Sequence, residues 1–306
     1  MEAPAADSGC DRHRDESACS GLCHDRPVSP TVTQRSSSRG KPPRSAKQRL
    51  DELIVELGLA ETRTKAQALV LAGKVRVGEG DGARRDLKPG DPVDVATSIT
   101  VDEPDPYVGR GGHKLAAALD AFGIDPTNKV ALDVGASTGG FTDVLLQRGA
   151  RHVYALDVGR GQLAESLRRD ARVTSMERTN ARTLTSTTLP ELADIAVIDV
   201  SFISLDKVLG AVATTLAPSA DIVALVKPQF EAGKGRTDRG VVRDPAIHRE
   251  VLERVTTHAA TLRLGTRDVI ASPIQGHDGN REFLVHLARG PGCADLGKRI
   301  AEVTAA

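Results

Sequence analysis

The sequence has 306 residues with equal numbers of basic and acidic side chains, 41 of each, so its formal net charge is zero. A neutral chain is not expected to coat nucleic acid non-specifically, although zero net charge does not exclude local basic patches. Hydrophobic residues make up 40% of the chain but aromatic residues only 2%, so the core must be aliphatic and alanine-rich. The length predicts one large domain and one small domain.

Neither a membrane span nor a secretion signal is predicted. The longest apolar-leaning run without charge, residues 208–220, is broken by Pro218 and is shorter than the ~18 to 20 residues that a spanning helix needs. The first residues lack the basic start and the apolar segment of a signal peptide. We therefore expect a cytoplasmic protein without membrane contact.

The cysteines predict neither a disulfide framework nor a metal site. They are Cys10, Cys19, Cys23 and Cys293. Three lie in a polar tail and one stands alone near the other end, and their spacing with His13 and His24 fits no zinc pattern. We expect no bound metal.

Residues 1–45 are predicted to form a disordered basic tail, because Ser, Pro, Arg and Asp are frequent there and apolar periodicity is missing. Between Arg26 and Arg49 there are seven Lys or Arg residues and no acidic residue. Two interpretations stay open: this segment contacts RNA phosphates non-specifically, or it is simply solvated.

Residues 46–101 have the pattern of a small α/β domain. Apolar residues at helical spacing predict one helix through Leu50–Leu57 and a second through Ala66–Val70. Strands are predicted at Lys74–Val77 and Pro92–Ala96, with a turn-rich loop between them.

Quoted from residue 47, K-Q-R-L-D-E-L-I-V-E-L-G-L-A-E-T-R-T-K-A-Q-A-L-V-L-A-G-K-V-R-V resembles the RNA-binding module of ribosomal protein S-four, also called the alpha-L domain. R-L-D, T-R-x-x-A and G-x-V-x-V follow one another in the family's order. The resemblance implies that helices present basic residues to RNA phosphates: Arg49, Arg63, Lys65, Lys74 and Arg76. The chain departs from the family pattern at residues 78–82, where the family often has Asn-Gly or Asp-Gly directly after the last valine.

A linker is predicted at residues 102–108, which contain two prolines and three acids. The catalytic domain, residues 109–306, then begins with a flexible basic turn that feeds a helix at Lys114–Phe122. We expect Arg110 in this turn to contact RNA.

The main ligand signal follows the apolar run Val130–Val134, which is typical of a parallel strand buried on both faces. Gly135, Gly139 and Gly140 then permit a tight turn against which a ligand can lie, and a helix is predicted at Phe141–Gln147. This arrangement predicts a ligand-binding crevice at the carboxyl end of the strand.

The glycine pattern favours S-adenosylmethionine over a dinucleotide. A dinucleotide fingerprint needs a second glycine where this chain has Ser137. D-x-G-x-x-x-G-G-F instead resembles motif I of S-adenosylmethionine-dependent methyltransferases, in which the turn holds the methionine part and an acid after the second strand, here Asp157, holds the ribose. Glu177 and Asn180 are expected at the adenine end, or else as loop hydrogen-bonding residues. The predicted cofactor-binding set is Asp133, Gly135, Ala136, Ser137, Thr138, Gly139, Gly140, Phe141, Asp157, Glu177, Asn180 and Asp199.

The fold class predicted is α/β, a seven-stranded doubly wound Rossmann-like methyltransferase sheet with a small N-terminal α/β RNA-binding domain. The predicted strands are Val130–Val134, Val153–Leu156, Val173–Met176, Ile195–Asp199, Ile222–Val226, Thr266–Ala271 and Phe283–Leu287. Helices are expected at Leu205–Leu216 and Pro245–Leu262. The glycine-rich, basic segment 228–242 is predicted to be a mobile loop over the site.

Four polar residues are candidates for chemistry. Asp199 and Lys227 lie at the carboxyl ends of predicted strands, where ligand-facing groups of such sheets gather. Glu282 lies at the start of its strand, which fits the same edge only if that strand is antiparallel. Lys114 opens the first helix of the domain.

Five quoted stretches together closely resemble the TlyA proteins, which belong to the FtsJ-like RNA ribose methyltransferases. They are D-V-G-A-S-T-G-G-F, V-G-x-G-Q-L, E-R-T-N-A-R, D-V-S-F-I-S and L-V-K-P-Q-F-E. The resemblance spans residues 46–288 and implies a 2′-O-methyltransferase with a Lys-Asp-Lys-Glu tetrad, which matches Lys114, Asp199, Lys227 and Glu282. It further implies that the substrates are cytidine riboses in ribosomal RNA of the small and large subunits. Some members carry the name hemolysin.

The chemistry explains these residue types. A ribose hydroxyl must lose its proton as it attacks the methyl group in line, so a nearby base and strict positioning both help. Lys227 is the expected base, in its neutral form, with Asp199 orienting it and Glu282 holding Lys114 or the ribose. Each residue also has a structural interpretation: Lys227 as a surface lysine, Asp199 as a helix cap or cofactor contact, and Lys114 or Glu282 as an ion-pairing group.

Three functions remain to be compared. The first is S-adenosylmethionine-dependent 2′-O-methylation of cytidines in 16S or 23S ribosomal RNA. The second is a non-catalytic RNA-binding or ribosome-assembly factor on a methyltransferase scaffold. The third, a membrane-active hemolysin, is suggested only by the family name.

Overall fold

A computed structural model describes residues 46–102, 105–233 and 235–305. The predicted tail, residues 1–45, lies outside the described residues, together with the cysteines and histidines considered there for zinc. The chain divides into two compact units between residues 104 and 105, a division that falls within the predicted linker.

The smaller unit is an α/β module with two helices and two short sheets among its described residues. Its elements are β1 (Lys47–Arg49), α1 (Leu50–Glu56), α2 (Arg63–Leu71), β2 (Val75–Val77), β3 (Pro92–Asp94) and β4 (Ile99–Val101). Strand β1 pairs with β3 and β2 with β4, both antiparallel. The two helices and strands β2 and β3 agree with the sequence pattern, whereas β1 and β4 were not predicted.

The helices of the smaller unit pack on a small aliphatic core. Leu50, Leu53 and Ile54 of α1 are buried against Val70 of α2. Thr62 caps α2, because its hydroxyl accepts a hydrogen bond from the Lys65 backbone N–H at 3.2 Å. Of the five basic residues expected on helices, only Arg63 and Lys65 lie on one; Arg49 ends β1, Lys74 precedes β2 and Arg76 lies in β2.

The larger unit is the predicted doubly wound sheet. Its strands are β5 (Val130–Val134), β6 (His152–Leu156), β7 (Val173–Met176), β8 (Ala193–Ile198), β9 (Leu216–Val226), β10 (Leu264–Ala271) and β11 (Phe283–Arg289). Its helices are α3 (Gly111–Phe122), α4 (Gly140–Gln147), α5 (Glu165–Arg168), α6 (Leu209–Ala213), α7 (Pro228–Glu231), α8 (Pro245–Thr261) and α9 (Leu296–Ala305). The strand order is β10-β11-β9-β8-β5-β6-β7, which confirms the seven-stranded fold class.

Strand direction decides where Glu282 lies. Strands β5 to β9 run parallel, whereas β11 is antiparallel to both β9 and β10. Phe283 pairs with Val226, so the residues just outside this pair, Glu282 and Lys227, meet at one edge of the sheet. The antiparallel condition that the sequence placed on Glu282 is therefore met.

The core lies on both faces of the sheet. Val130, Leu132 and Val134 of β5 pack into one cluster with α6 and α8, while Ala131 packs into the other with α3 and α4. This alternation is what a strand covered on both faces requires. It leaves Asp133 as the single polar side chain of a fully buried strand.

Several predicted boundaries are wrong. The helix expected over Leu205–Leu216 is divided into a 3₁₀ turn at Leu205–Lys207 and α6, and it ends early because β9 already begins at Leu216. The expected mobile loop starts instead with helix α7, since Pro228 suits the first position of a helix and both Pro228 and Glu231 are buried. Helix α3 begins at Gly111, before the predicted Lys114, and Gly112 in its first turn packs closely against the Tyr107 ring.

Candidate active site

The glycine turn after β5 brings the cofactor motif against the neighbouring strand end. Gly135 has φ of 87°, and a Cβ there would overlap the backbone carbonyl of Asp199. Gly139 has φ of 97° and leaves no room for a Cβ beside Leu167. Both glycines are therefore required by backbone geometry, and the turn lies directly beside one candidate catalytic residue.

Asp133 lies beneath this turn and is fully buried. Its Oδ2 accepts a hydrogen bond from Thr142 Oγ1 at 2.7 Å, whereas Oδ1 has no hydrogen-bond partner among the described residues. Burial disfavours the carboxylate and raises the pKa of Asp133 to about 7, and the negative charge of Asp199 acts in the same direction. The site thus contains a buried acceptor that a ligand donor would satisfy.

Asp157 ties two loops together at the carboxyl end of β6. Its Oδ2 accepts from the Ser137 N–H at 2.8 Å and its Oδ1 from the Gly159 N–H at 2.7 Å. Glu177 is close by, because Asp157, Ser137 and Glu177 line one small cavity. Val158, which follows Asp157, is 71% exposed and offers an apolar surface at this end.

Glu177 and Asn180 both make loop hydrogen bonds. Glu177 Oε1 accepts from the Gly161 N–H at 2.8 Å and from Arg168 at 3.2 Å. Asn180 Oδ1 accepts from the Arg182 N–H at 3.0 Å and caps a short 3₁₀ turn. Asn180 does not line the cavity of Asp157, so the two interpretations given for it from sequence both remain open.

The predicted tetrad forms two ion pairs at one edge of the sheet. Lys114 Nζ donates to Glu282 Oε2 at 2.5 Å, and these residues are only 8% and 2% exposed. Lys227 Nζ lies 2.5 Å from Asp199 Oδ1, at angles outside the hydrogen-bond range, and donates to Ser201 Oγ at 2.9 Å. Ser201 was not predicted, because nothing in its spacing distinguishes it from other loop serines.

One cavity of about 230 Å³ connects Lys114 and Asp199 to the glycine turn, whereas their partners Glu282 and Lys227 do not line it. It is lined by Arg110, Gly111, Lys114, Gly135, Ala136, Ser137, Thr138, Gly140, Phe141, Asp199, Ile274 and Gln275. The structure therefore brings Lys114 and Asp199 together with the cofactor motif. Gly276, next to Gln275, lies so close to the Glu282 carboxylate that a Cβ would overlap it.

Phe202 is a second feature that sequence reasoning missed. Its side chain is 90% exposed, and its φ of 63° is unusual for a non-glycine residue. The ring packs against Phe230, with centroids 4.9 Å apart. An exposed aromatic residue next to Ser201 is therefore held outward near the predicted base.

The basic residues of the smaller unit are organised by Asp51, which is fully buried. Arg49 donates two hydrogen bonds to its carboxylate, and Arg63 and Gln67 each donate one to Oδ2. The hydrogen bonds from Arg49 are the largest cause that holds the pKa of Asp51 well below its usual range. Arg49 and Arg63 are thus fixed side by side.

The other basic residues predicted to contact RNA differ from one another in their surroundings. Lys65 forms an ion pair with Glu61, Arg76 lies 3.9 Å from Asp102, and Lys74 is half-buried. Arg110 belongs to the larger unit, where it lines the active-site cavity.

Residues 105–108 of the predicted linker are attached to the larger unit. The Val108 N–H donates to Asp143 Oδ2 at 2.9 Å, and Gln147 donates to the Pro106 carbonyl at 2.8 Å. The Tyr107 ring packs on Gly112 of α3. This part of the linker therefore contacts both helices that border the cavity.

The described residues contain neither a metal-ligating cluster nor a membrane-spanning helix. No group of three or more His, Cys, Asp or Glu side chains there is arranged to hold a metal ion. Likewise, none of the helices in the described part of the chain is long and apolar enough to cross a membrane.

With this strand order and a glycine turn at the carboxyl end of β5, the larger unit has the architecture of the methyltransferase class. Residues 107–289 match the FtsJ-like methyltransferase family, and residues 48–79 match the S4 domain. The chain belongs to the FtsJ-like methyltransferases, within the TlyA group whose members it resembles in both domains.

Individual relatives agree with this assignment. The chain is 48% identical over 242 residues to the Mycobacterium tuberculosis protein named 16S/23S rRNA (cytidine-2'-O)-methyltransferase TlyA, covering 78% of this chain and 89% of that protein. It is 47% identical over 261 residues to YqxC of Bacillus subtilis, covering 84% of this chain and 91% of YqxC. A solved structure of a hemolysin-named protein from Streptococcus thermophilus is 45% identical, with a TM-score of 0.66, covering 85% of this chain and 95% of that one.

Proposed function

We propose that this protein transfers the methyl group of S-adenosylmethionine to the 2′-oxygen of cytidines in ribosomal RNA. The observation that carries the proposal is the meeting of two lysine–carboxylate pairs beside the glycine turn. The name of the Mycobacterium tuberculosis relative supports the substrate class. Since ribosomal RNA is the substrate, the protein would act in the cytoplasm.

The residues present fit S-adenosylmethionine. Asp133 Oδ1, buried and unsatisfied among the described residues, suits the ammonium group of the methionine part. Gly135 and Gly139 keep the turn free of side chains where that part would lie. Asp157 would hold the ribose hydroxyls, and Val158 would cover the adenine. When bound, S-adenosylmethionine supplies a methyl group on a positively charged sulfur.

The tetrad would then prepare the ribose hydroxyl. A neutral lysine has two N–H donors and one lone pair, and Lys227 Nζ lies beside two acceptors, Asp199 Oδ1 and Ser201 Oγ. The hydrogen bond to Ser201 Oγ and the close approach of Asp199 Oδ1 would hold the amine in place, so that its lone pair can take the hydroxyl proton. Lys114, held by Glu282, would fix the ribose so that its oxygen attacks in line.

RNA binding is assigned to both units. Arg49 and Arg63 would contact phosphates as a fixed pair, together with Lys65, Lys74 and Arg76. In the larger unit, Arg110 would contact the substrate strand at the cavity, and Phe202 would stack on a nucleobase turned out of its helix.

The direct test measures transfer of labelled methyl from S-adenosylmethionine to ribosomal subunits from cells that lack this modification. We expect label on the 2′-oxygen of specific cytidines with the wild-type protein and none with Lys227→Ala. Lys298→Ala is a matched control, because Lys298 is an exposed lysine on α9 outside the active-site cavity. Binding of subunits without any methyl transfer would instead support the non-catalytic assembly factor, and activity retained by Lys227→Ala would exclude Lys227 as the base.

A further inference from the structure

A second, open cavity adjoins the active-site cavity of the larger unit. Residues 105–113 form one wall and the loop between β10 and β11 forms the other. Its lining residues are Asp105, Arg110, His113, Ile274, Gln275, Gly276, Asp278 and Gly279. Arg110, Ile274 and Gln275 line both cavities, so the two spaces are continuous across these three side chains.

Arg110 stands at the junction between the two cavities. It immediately precedes α3, four residues before Lys114, and its side chain is exposed. Its side chain makes no hydrogen bond or ion pair among the described residues. Its guanidinium is therefore available to an anion that passes from one cavity to the other.

His113 and Gln275 give the second cavity its hydrogen-bonding character. His113 Nε2 lies 3.1 Å from Asp105 Oδ1, which assigns the proton of a neutral ring to Nε2 and leaves Nδ1 as an acceptor. The His113 side chain is 41% exposed, and Tyr107 supports its ring at a centroid distance of 5.3 Å. Gln275, on the opposite wall, offers an amide donor and an amide acceptor.

The chemistry of RNA connects these observations. In an internal nucleotide the 2′-hydroxyl is adjacent to the 3′-oxygen, which carries the phosphodiester to the next nucleotide. A ribose placed at Lys114 and Asp199 must therefore have a phosphate beside it and a second nucleoside beyond that phosphate. In the structure, Arg110 lies where this phosphate would be, and the second cavity lies where the second nucleoside would be.

We infer that the second cavity binds the nucleotide on the 3′ side of the methylated ribose, with Arg110 contacting the phosphodiester between the two. His113 and Gln275 then contact the base of that nucleotide. This inference rests on the proposed function, because it needs an internal ribose in the active-site cavity. It predicts that the enzyme recognises a dinucleotide step rather than a single nucleotide.

The test uses direct binding to the full-length protein, measured by calorimetry, so that it does not depend on turnover. The probes are cytidine, cytidine 3′-monophosphate and the dinucleotide cytidylyl-adenosine. A charge-assisted phosphate contact should tighten binding about tenfold from the first probe to the second. Contacts to the second nucleoside should add about fivefold for the third probe.

Variants separate the affinity gained from the phosphate from the affinity gained from the second nucleoside. Arg110→Ala should remove the gain from the phosphate, whereas His113→Ala and Gln275→Ala should remove only the gain from the second nucleoside. The His113 ring packs against Tyr107, so His113→Ala also removes a packing contact. Gln275→Ala removes no such contact and should fold normally, because Gln275 is an exposed loop residue on the wall opposite Tyr107. Arg249→Ala should leave all three affinities unchanged, since Arg249 is exposed on α8 and lines neither cavity.

Equal affinity for cytidine 3′-monophosphate and the dinucleotide would overturn the inference, as would equal losses in Arg110→Ala and Arg249→Ala. Methylation of ribosomal subunits by the wild-type protein is measured separately. If subunits are methylated but the dinucleotide gains nothing, only the second cavity is reassigned. If no methylation occurs and no probe binds, the proposed function fails as well.

Discussion

Lys114 Nζ and Glu282 Oε2 lie 2.5 Å apart, although 168 positions separate the two residues in the sequence. The contact joins the first helix of the larger unit to its last strand. Both side chains are nearly free of solvent, so each charge depends on the other for compensation. The pair therefore bears on stability as well as on catalysis.

Replacing Glu282 with alanine should destabilise the protein, because the Lys114 ammonium would lose its buried partner. We expect a loss of about 3 kcal/mol in the free energy of unfolding, measured by urea denaturation. Glu282→Gln keeps a hydrogen-bond acceptor and should lose less. Equal stability of Glu282→Ala and the wild type would show that Lys114 finds another partner.

Asp133 should make stability depend on pH. Its pKa is about 7 in the folded protein and 3.8 in its unperturbed state, so between these values the folded protein keeps a proton that the unfolded chain has released. The free energy of unfolding should therefore fall as the pH rises from about 4 to about 7, by up to about 4 kcal/mol. Denaturation of the cofactor-free protein at a series of pH values measures this slope.

Asp133→Asn is the matched variant for that experiment, because it keeps the acceptor for Thr142 and cannot ionise. Its stability should lack the slope between pH 4 and pH 7. The affinity of the wild type for S-adenosylhomocysteine should rise over the same range, since the ammonium group of this ligand pairs with the ionised carboxylate. If the free energy of unfolding varied with pH in the same way in both proteins, the slope could not be assigned to Asp133.

Ser201 should act through Lys227. Ser201→Ala removes one of the two acceptors beside Lys227 Nζ and frees the amine to rotate. We expect kcat to fall about tenfold with KM unchanged, because one hydrogen bond that orients the base is lost. Ser201→Thr retains the hydroxyl and should recover most of the rate. A change in KM alone would instead assign Ser201 to substrate binding.

Phe202 should contribute to binding rather than to proton transfer. Phe202→Ala removes the exposed ring, and loss of one base-stacking contact should weaken RNA binding by about 2 kcal/mol, or roughly thirtyfold. Phe202→Tyr keeps a stacking face and serves as the control. Steady-state methylation of ribosomal subunits measures both variants, and an unaffected Phe202→Ala enzyme would exclude the stacking role.

Asp51 should affect RNA binding without touching RNA. Asp51→Ala releases Arg49 and Arg63 from their shared carboxylate and opens a buried position. We expect a lower melting temperature for the smaller unit and RNA binding weakened about tenfold, because the two guanidinium groups are no longer fixed together. Asp86→Ala, at an exposed ion pair with Arg84 in the same unit, should change neither quantity appreciably.

Most of the parallel strands were predictable from sequence because they are short apolar runs followed directly by a glycine or an acid. Gly135 after β5 and Asp199 after β8 are examples, and β5 has the predicted bounds. Strand β9 was predicted too short, since its first half contains the exposed residues Pro218 and Ser219 and lacks the apolar pattern. A sequence pattern reveals the buried half of a strand, but it does not show how far the strand continues through exposed residues.

The candidate site was predictable in its residue types and less so in its supporting contacts. Asp199, Lys227 and Glu282 stand out because they lie at strand ends on the edge of the sheet where ligand-facing groups gather, and Lys114 because it opens the first helix of the domain. Asp51, by contrast, has the position of an ordinary acidic residue in the first turn of a helix, and only the fold shows that it is buried. Contacts that depend on where distant loops meet have no local signature.

Strand β11 lies between β9 and β10, although both precede it in the sequence. Strand β10 has no neighbour in the sheet other than β11, so it must wait unpaired during synthesis until residues 283–289 have been made. Glu282 belongs to the same late segment. A nascent chain that has just reached Lys227, directly after β9, therefore has its glycine turn and three of the four tetrad residues, but lacks the acid that holds Lys114. The enzyme would become competent only in the last stage of its own translation, by a ribosome of the kind that it is proposed to modify.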